Sequence, residues 1–163
     1  MALGIERLDG RRHRRDGFDS GVPALDAYLR ERASQHQRDG IATTHVLVDD
    51  AEPGRILGWY SLAAAQLLLE DLTERDRAKL PRYPIPAARL ARLAVDRREQ
   101  GKGLGAALLQ DAVKRCLDLR SELGLRVLIV DAKDERVAHF YRAFGFTATA
   151  DTALTLYLPL GRP

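Results

Sequence analysis

Apolar and polar positions alternate along this chain with two different periods. Leu25, Tyr28, Leu29 and Ala33 recur at helical spacing, and Pro23 suits a first helical turn, so the pattern predicts a helix over Pro23–Arg38 ended by Asp39-Gly40. Thr43–Val48 is β-branched and predicts a strand. Glu52-Pro53-Gly54 is a turn, and Ile56–Ala65 follows as the hairpin partner. A short strand over Gly4–Leu8 precedes them. Leu69–Leu80 is charged and compatible with helix, and Leu80–Pro86 holds three prolines, which predicts a stiff connector. Beyond it the order becomes regular. Leu90–Val95 is an apolar strand, and Gly103–Leu123 is an amphipathic helix with Gln110, Asp111, Lys114, Arg115, Asp118 and Glu122 on its polar face, closed by Gly124. Leu125–Val130 is near-continuously apolar, as for a strand covered on both faces. A short helix spans Glu135–Ala143 before Gly145, and Ala153–Leu160 supplies a last strand. Strand, helix, strand around residue 103 implies a right-handed parallel crossover in an α/β sheet.

The turn inside that crossover reads Arg97-Arg98-Glu99-Gln100-Gly101-Lys102-Gly103-Leu104-Gly105-Ala106. Its glycines leave backbone N–H groups bare at the positive end of a helix dipole, which is a place for phosphate, and Arg97, Arg98 and Lys102 add charge. A Walker loop would continue Gly-Lys-Ser or Gly-Lys-Thr, and a dinucleotide fingerprint would space its last glycine differently. Neither fits.

Composition narrows the class. The chain has 163 residues, 45% hydrophobic and 30% charged, with a net charge of +3. That suits one globular domain, 1–163, with a basic segment at 1–17. Its longest apolar stretch, Ile56–Leu69, contains Ser61 and Gln66 and is short of the roughly 20 residues a membrane helix needs. With no secretory h-region, a cytoplasmic protein without membrane contact is expected. The single cysteine, Cys116, falls on the apolar helix face and reads as a core residue, and no Cys/His spacing suggests a metal. His45 reads as a satisfied strand histidine. Arg7, Arg11, Arg12, Arg14 and Arg15 crowd the N-terminus, either as a solvated arm or as a patch that contacts nucleic-acid phosphates.

Arg98-Glu99-Gln100-Gly101-Lys102-Gly103 resembles the Arg/Gln-x-x-Gly-x-Gly/Ala signature of the GNAT superfamily of N-acetyltransferases. Asp134 to Phe146 resembles that superfamily's Asn-x-x-Ala-x-x-Phe-Tyr-x-x-x-Gly-Phe segment: Phe140, Tyr141, Gly145 and Phe146 match, while Asp134 and Val137 replace Asn and Ala. The resemblance implies a GNAT fold: one domain, a mixed central sheet flanked by helices, and strands splayed at an acetyl-CoA site. It implies that Leu93, Ala94 and Val95 align the pantetheine and acetyl group. It also implies that Arg98, Gly101, Lys102, Gly103, Leu104, Gly105 and Ala106 hold the pyrophosphate, with Asp134 and Phe140 alongside. Tyr141 matches the family's tyrosine that protonates the departing thiolate. A phenol near pKa 10 is protonated at neutral pH and suits that task. The strand Leu90–Val95 carries neither Glu nor His, which favours an acceptor amine that deprotonates unaided, such as the α-amine of an aminoacyl ester.

A wider set of segments is similar to the GNAT toxins of bacterial toxin–antitoxin pairs. These are Phe18-Asp19-Ser20-Gly21 leading to Tyr28-Leu29, Gly58-Trp59-Tyr60-Ser61-Leu62, Pro84-Ile85-Pro86 and Arg92-Leu93-Ala94-Val95-Asp96. The resemblance implies acetylation of aminoacyl-tRNA and a block of translation, restraint by a small ribbon-helix-helix antitoxin, and a homodimer. On this reading Arg11, Arg12, Arg14, Arg15, Arg38, Arg89 and Arg92 are the candidates for RNA contact. The competing expectation is a small-molecule or protein N-acetyltransferase with the same acetyl-CoA site. A third is a non-catalytic acyl-CoA-binding module, which the presence of Tyr141 disfavours.

Overall fold

A computed structural model describes residues 2–79, 84–150 and 152–162. Seven strands hydrogen-bond in the order β1-β2-β3-β4-β5-β7-β6: β1 Leu3–Arg7, β2 Thr43–Asp49, β3 Gly58–Leu67, β4 Ile85–Val95, β5 Val127–Asp131, β6 Thr147–Ala148 and β7 Thr155–Pro159. The helices are α1 Pro23–Glu31, α2 Ala33–Arg38, α3 Glu74–Arg77, α4 Leu104–Leu119 and α5 Glu135–Ala143. The mixed sheet and its helices match the expected fold class. The chain gathers into two compact units, residues 1–63 with 91–112 and residues 64–90 with 113–163.

In the first unit β1 pairs antiparallel with β2 from Leu3↔Asp49 to Arg7↔His45, and β2 pairs antiparallel with β3 from Thr43↔Leu62 to Leu47↔Gly58. Trp59 anchors the core and is fully buried. It stacks on Tyr28 at 5.8 Å between ring centroids and meets Phe18 edge-on at 6.4 Å. Leu8, Leu29, Val46 and Ala94 complete the cluster. Glycine is required at position 58 because helix α4 packs tightly there. A Cβ at Gly58 would lie 2.9 Å from Leu108 Cδ1 and 3.0 Å from the Ala94 carbonyl oxygen.

In the second unit β4 pairs parallel with β5, from Ala87↔Val127 to Leu90↔Val130, and β5 pairs antiparallel with β7. With α4 between β4 and β5, this is the expected parallel crossover. Ile85, Ala87, Val127, Ile129 and Tyr157 form the core, and the Tyr157 hydroxyl donates to Asp76 Oδ2 at 2.6 Å.

Several boundaries differ from the pattern. The helix expected over Pro23–Arg38 breaks at Arg32, whose φ of −127° and ψ of −29° leave the helical range, although the apolar face continues to the buried Ala33. Helix α4 stops at Leu119 rather than Leu123, because Leu119 and Leu123 are exposed and provide no apolar face to bury. Where the sequence is compatible with helix over Leu69–Leu80, the described residues 69–79 form a 3-10 turn at Leu69–Asp71 and the single turn α3. The proline connector's residues 80–83 lie outside the described residues, and Pro86 already belongs to β4, where its carbonyl accepts from the Arg126 N–H at 2.9 Å.

Candidate functional site

The glycine turn forms as the sequence predicts. Gly101 and Gly103 adopt φ of +82° and +81°, a region that penalises residues with a Cβ, and nothing lies within 4 Å of where a Cβ would stand. The Ala107 N–H donates to the Gly103 carbonyl at 3.2 Å, which makes Gly103 the N-cap of α4. The N–H groups of Leu104, Gly105 and Ala106 thus form the first helical turn, with no intrahelical acceptor and the helix dipole behind them. This is a backbone cradle for a phosphate or diphosphate.

The charged side chains do something other than line that cradle. Arg97 pairs with Asp19 at 3.0 Å, and Lys102 pairs with Glu99 at 2.7 Å. Arg98 clasps Asp96, with Nε 3.0 Å from Oδ1 and Nη2 3.2 Å from Oδ2. Glu99 also accepts from Arg55 Nη2 at 2.8 Å. Their charges are largely spent within the protein, so the cradle's anion affinity rests on backbone N–H groups.

Asp96 is the residue that sequence reasoning missed. It is fully buried at the end of β4 and accepts from the Asp19 N–H at 3.2 Å and the Arg98 N–H at 3.0 Å as well as from the Arg98 guanidinium. Burial pushes its carboxyl upward, but the hydrogen bonds from Arg98 and Asp19 outweigh burial and hold it below the usual carboxylate range. Asp96 therefore ties the segment at Asp19 to the start of the glycine turn. Gln100 adds a second tie, its Nε2 donating to the Ser20 carbonyl at 3.1 Å and the Val95 carbonyl at 2.9 Å. A local signal did exist: an Asp just before Arg97-Arg98-Glu99 reads as the N-cap it is for that 3-10 turn. Of the candidates on β4, Ala94 is buried while Leu93 and Val95 are half-buried.

Tyr141 lies on α5 in the second unit. Its ring is buried, 5.3 Å from Phe140 and 5.6 Å from Phe146 between centroids. Burial, reinforced by the negative charge of Asp131, pushes its phenol up to about 12. Asp131 itself is held by Arg89 Nη1 and by the Thr155 hydroxyl, which donates at 3.1 Å. Asp134 is the N-cap of α5, its Oδ1 accepting from the Val137 N–H at 2.9 Å, so the Asp in place of Asn serves the helix start. Phe140 is half-buried.

The basic N-terminal segment is folded. His13, almost fully buried, places Nε2 2.6 Å from Glu6 Oε1 while Nδ1 accepts the Asp9 N–H at 3.0 Å. Arg12 pairs with Glu6 and Arg14 with Glu52, and Arg15 Nη1 donates to the Ser34 hydroxyl at 3.0 Å. Arg11 is exposed, and Arg38 ends α2. Arg92 lies 3.5 Å over the Tyr28 ring, a cation–π contact. The structure thus gathers Arg14, Arg15 and Arg98 around one hollow of the first unit, while Arg89 and Tyr141 belong to the second. Among the described residues no cluster of His, Cys, Asp or Glu could hold a metal ion, and no helix is long and apolar enough to cross a membrane.

Comparison with known proteins adds to this geometry. A family model described as an acetyltransferase (GNAT) domain matches residues 40–148. The "tRNA-acetylating toxin" of Mycobacterium tuberculosis is 40% identical over 141 residues, 86% of this chain and 82% of that one. Among solved structures, AtaT complexed with acetyl-methionyl-tRNAfMet superposes with a TM-score of 0.90 at 28% identity, covering 97% of this chain and 95% of that one. A mutant of the AtaT toxin bound to the C-terminus of the antitoxin AtaR and acetyl-CoA gives 0.82 at 26% identity, covering 97% and 93%.

Proposed function

The chain belongs to the GNAT acetyltransferase family, and from that premise we propose that it transfers the acetyl group of acetyl-CoA to the α-amine of aminoacyl-tRNA and so blocks translation. The observation that carries the tRNA reading is the 40% identity, over most of the chain, to a tRNA-acetylating toxin.

Acetyl-CoA supplies an acetyl group already activated as a thioester, so the protein's tasks are binding, alignment and charge control. The first-turn amides of α4 and the open glycines at 101 and 103 suit its diphosphate, with Lys102, Leu104, Gly105 and Ala106 around them and Arg98 fixing the turn through Asp96. On this reading the backbone of Leu93, Ala94 and Val95 aligns the pantetheine arm, and Phe140 and Asp134 are the cofactor candidates of the second unit.

Tyr141 offers its hydroxyl to the sulfur as negative charge develops there. With its phenol pushed up to about 12, it keeps its proton at every physiological pH. Against an ordinary thiol near 8.5, full transfer runs uphill by roughly 3.5 units, or ~5 kcal/mol. Hydrogen-bond donation to the developing thiolate is therefore its first contribution, and completed transfer requires the bound complex to lower that gap. The acceptor makes its own contribution. An α-amine with a pKa of about 7.7–8 is substantially free base near neutrality, whereas a lysine amine near 10.4 is not. This fits a β4 without Glu or His between Ile85 and Val95.

On the same reading the chain is the cytoplasmic toxin of a pair, a homodimer restrained by an antitoxin with a ribbon-helix-helix DNA-binding domain; the antitoxin-bound AtaT neighbour supports restraint by an antitoxin. Arg11, Arg12, Arg14, Arg15, Arg38, Arg89 and Arg92 are its RNA-contact candidates. A cell-free translation reaction tests the function. Inhibition that requires acetyl-CoA supports it, and unimpaired translation with active enzyme and acetyl-CoA present overturns it.

A further inference from the structure

The first unit contains a half-open hollow of about 490 Å³ beneath the 10–18 loop. His13, Arg14, Arg15, Glu52, Arg55 and Arg98 line it, together with Asp16. Four guanidinium groups thus meet two carboxylates, beside His13, whose Nδ1 accepts the Asp9 N–H. Arg14, Arg55 and Arg98 have carboxylate partners in Glu52, Glu99 and Asp96. Two features remain unused. Half-buried Arg15 donates to the neutral Ser34 hydroxyl, and Arg55 Nε is buried with no hydrogen-bond partner among the described residues. A buried guanidinium N–H without an acceptor is costly, and an oxygen acceptor brought beside Arg55 would relieve that cost. Arg14 also passes close to Gly54, where a Cβ would stand 2.9 Å from Arg14 Nη1 and 3.1 Å from the Arg12 carbonyl oxygen.

We propose that this hollow is a phosphate-binding subsite that takes a backbone phosphodiester of the RNA substrate between Arg15 and Arg55. The inference rests on the tRNA reading above. The volume exceeds what a bare phosphate needs and accommodates a flanking ribose. Guanidinium forks match phosphate oxygens geometrically, and here they are held by packing and ion pairs before the ligand arrives.

The same phosphate chemistry is present in the 3′-phosphate of CoA, so the test has two arms. Arg15→Gln removes a charge, while Arg55→Lys keeps the charge beside Glu99 and removes Nε. The first arm measures binding of deacylated tRNA across a salt series. Arg15→Gln should bind about tenfold more weakly at low salt, with a log–log salt slope shallower by about 0.7–0.9, and Arg55→Lys should bind a few-fold more weakly. The second arm measures CoA against dephospho-CoA, and neither affinity should change. Thermal melting confirms that both variants fold. Wild type that binds tRNA with both variants unchanged overturns the subsite alone. A preference for CoA over dephospho-CoA that Arg15→Gln abolishes assigns the phosphate to the cofactor and overturns the RNA assignment. Wild type without salt-dependent tRNA binding overturns the tRNA reading itself, and the subsite with it.

Discussion

Asp96→Asn probes the tie that holds the glycine turn, with almost no change in shape. The carboxylate accepts four hydrogen bonds, from the Asp19 N–H, the Arg98 N–H and Arg98 Nε and Nη2, at 3.0–3.2 Å. An asparagine whose oxygen takes the place of Oδ1 keeps the Arg98 N–H and Nε. Its NH2 then faces the Asp19 N–H and Arg98 Nη2, donor against donor. The Asp19 N–H, in a partly buried bond, then costs no more than the roughly 1–3 kcal/mol of an unsatisfied buried donor. The lost contact to Arg98, whose side chain is 64% exposed, adds at most about 1 kcal/mol after solvent screening. The expected destabilisation is about 1–4 kcal/mol, or roughly 2–16 °C in Tm for a chain of this size. Acetyl-CoA affinity should fall as well, since the turn's starting point is released.

The pH dependence supplies a second check. Asp96 is held below the ordinary carboxylate value, so its contribution is fully present above about pH 4, the unfolded value, and is lost as pH falls through the lower folded value. Urea unfolding of wild type and Asp96→Asn at a series of pH values should show a constant gap from neutrality to about pH 5, closing in stronger acid. A gap below about 0.5 kcal/mol at pH 7 would refute the tie.

Other substitutions separate the remaining parts. Tyr141→Phe should leave acetyl-CoA affinity intact and lower single-turnover acetylation by about 10²–10³-fold; wild-type turnover with chemistry rate-limiting would assign the donor elsewhere. Burial raises the phenols of Tyr28, Tyr141 and Tyr157, so absorbance titration of wild type should find late-ionising phenols, and Tyr141→Phe should remove the one near pH 12. Gly103→Asp forces a Cβ into φ of +81° and sets a carboxylate beside the cradle, so calorimetry should find acetyl-CoA binding abolished; unchanged affinity would dismiss the cradle as the diphosphate site. Gly58→Ala drives a methyl against Leu108 and the Ala94 carbonyl and should cost about 1–3 kcal/mol in denaturant unfolding; a neutral result would mean that α4 moves away freely.

What was legible in the sequence was local. Gly101 and Gly103 announced a turn that needs positive φ, the apolar run before them announced β4, and the amphipathic run after them announced α4. Phe140 and Tyr141 were readable on α5 because the helix is short and bounded by Asp134 and Gly145. The chain's long-range ties were not legible. Nothing in the sequence links Asp19 to Asp96, 77 residues away, or Arg55 to Glu99, 44 residues away, yet these bonds set the shape of the turn. The charge of Arg97, Arg98 and Lys102 was readable, but its consumption by Asp19, Asp96 and Glu99 was not. The break at Arg32 carried no Gly or Pro to mark it, and the apolar period ran straight through. The N-terminal arginines left both an arm and a patch open; the buried His13 and its contacts to Glu6 and Asp9 show a folded loop rather than a loose arm.

The most direct measurement is identification of the acetylated product. Purified protein, acetyl-CoA and total aminoacyl-tRNA are incubated together, the RNA is digested to its 3′-terminal aminoacyl adenosines, and these are analysed by mass spectrometry. The account predicts at least one aminoacyl adenosine carrying a single acetyl group on its α-nitrogen, formed only with acetyl-CoA and strongly reduced by Tyr141→Phe. Unmodified aminoacyl adenosines throughout, from a preparation that acetylates a small free amine or a protein lysine, would contradict it.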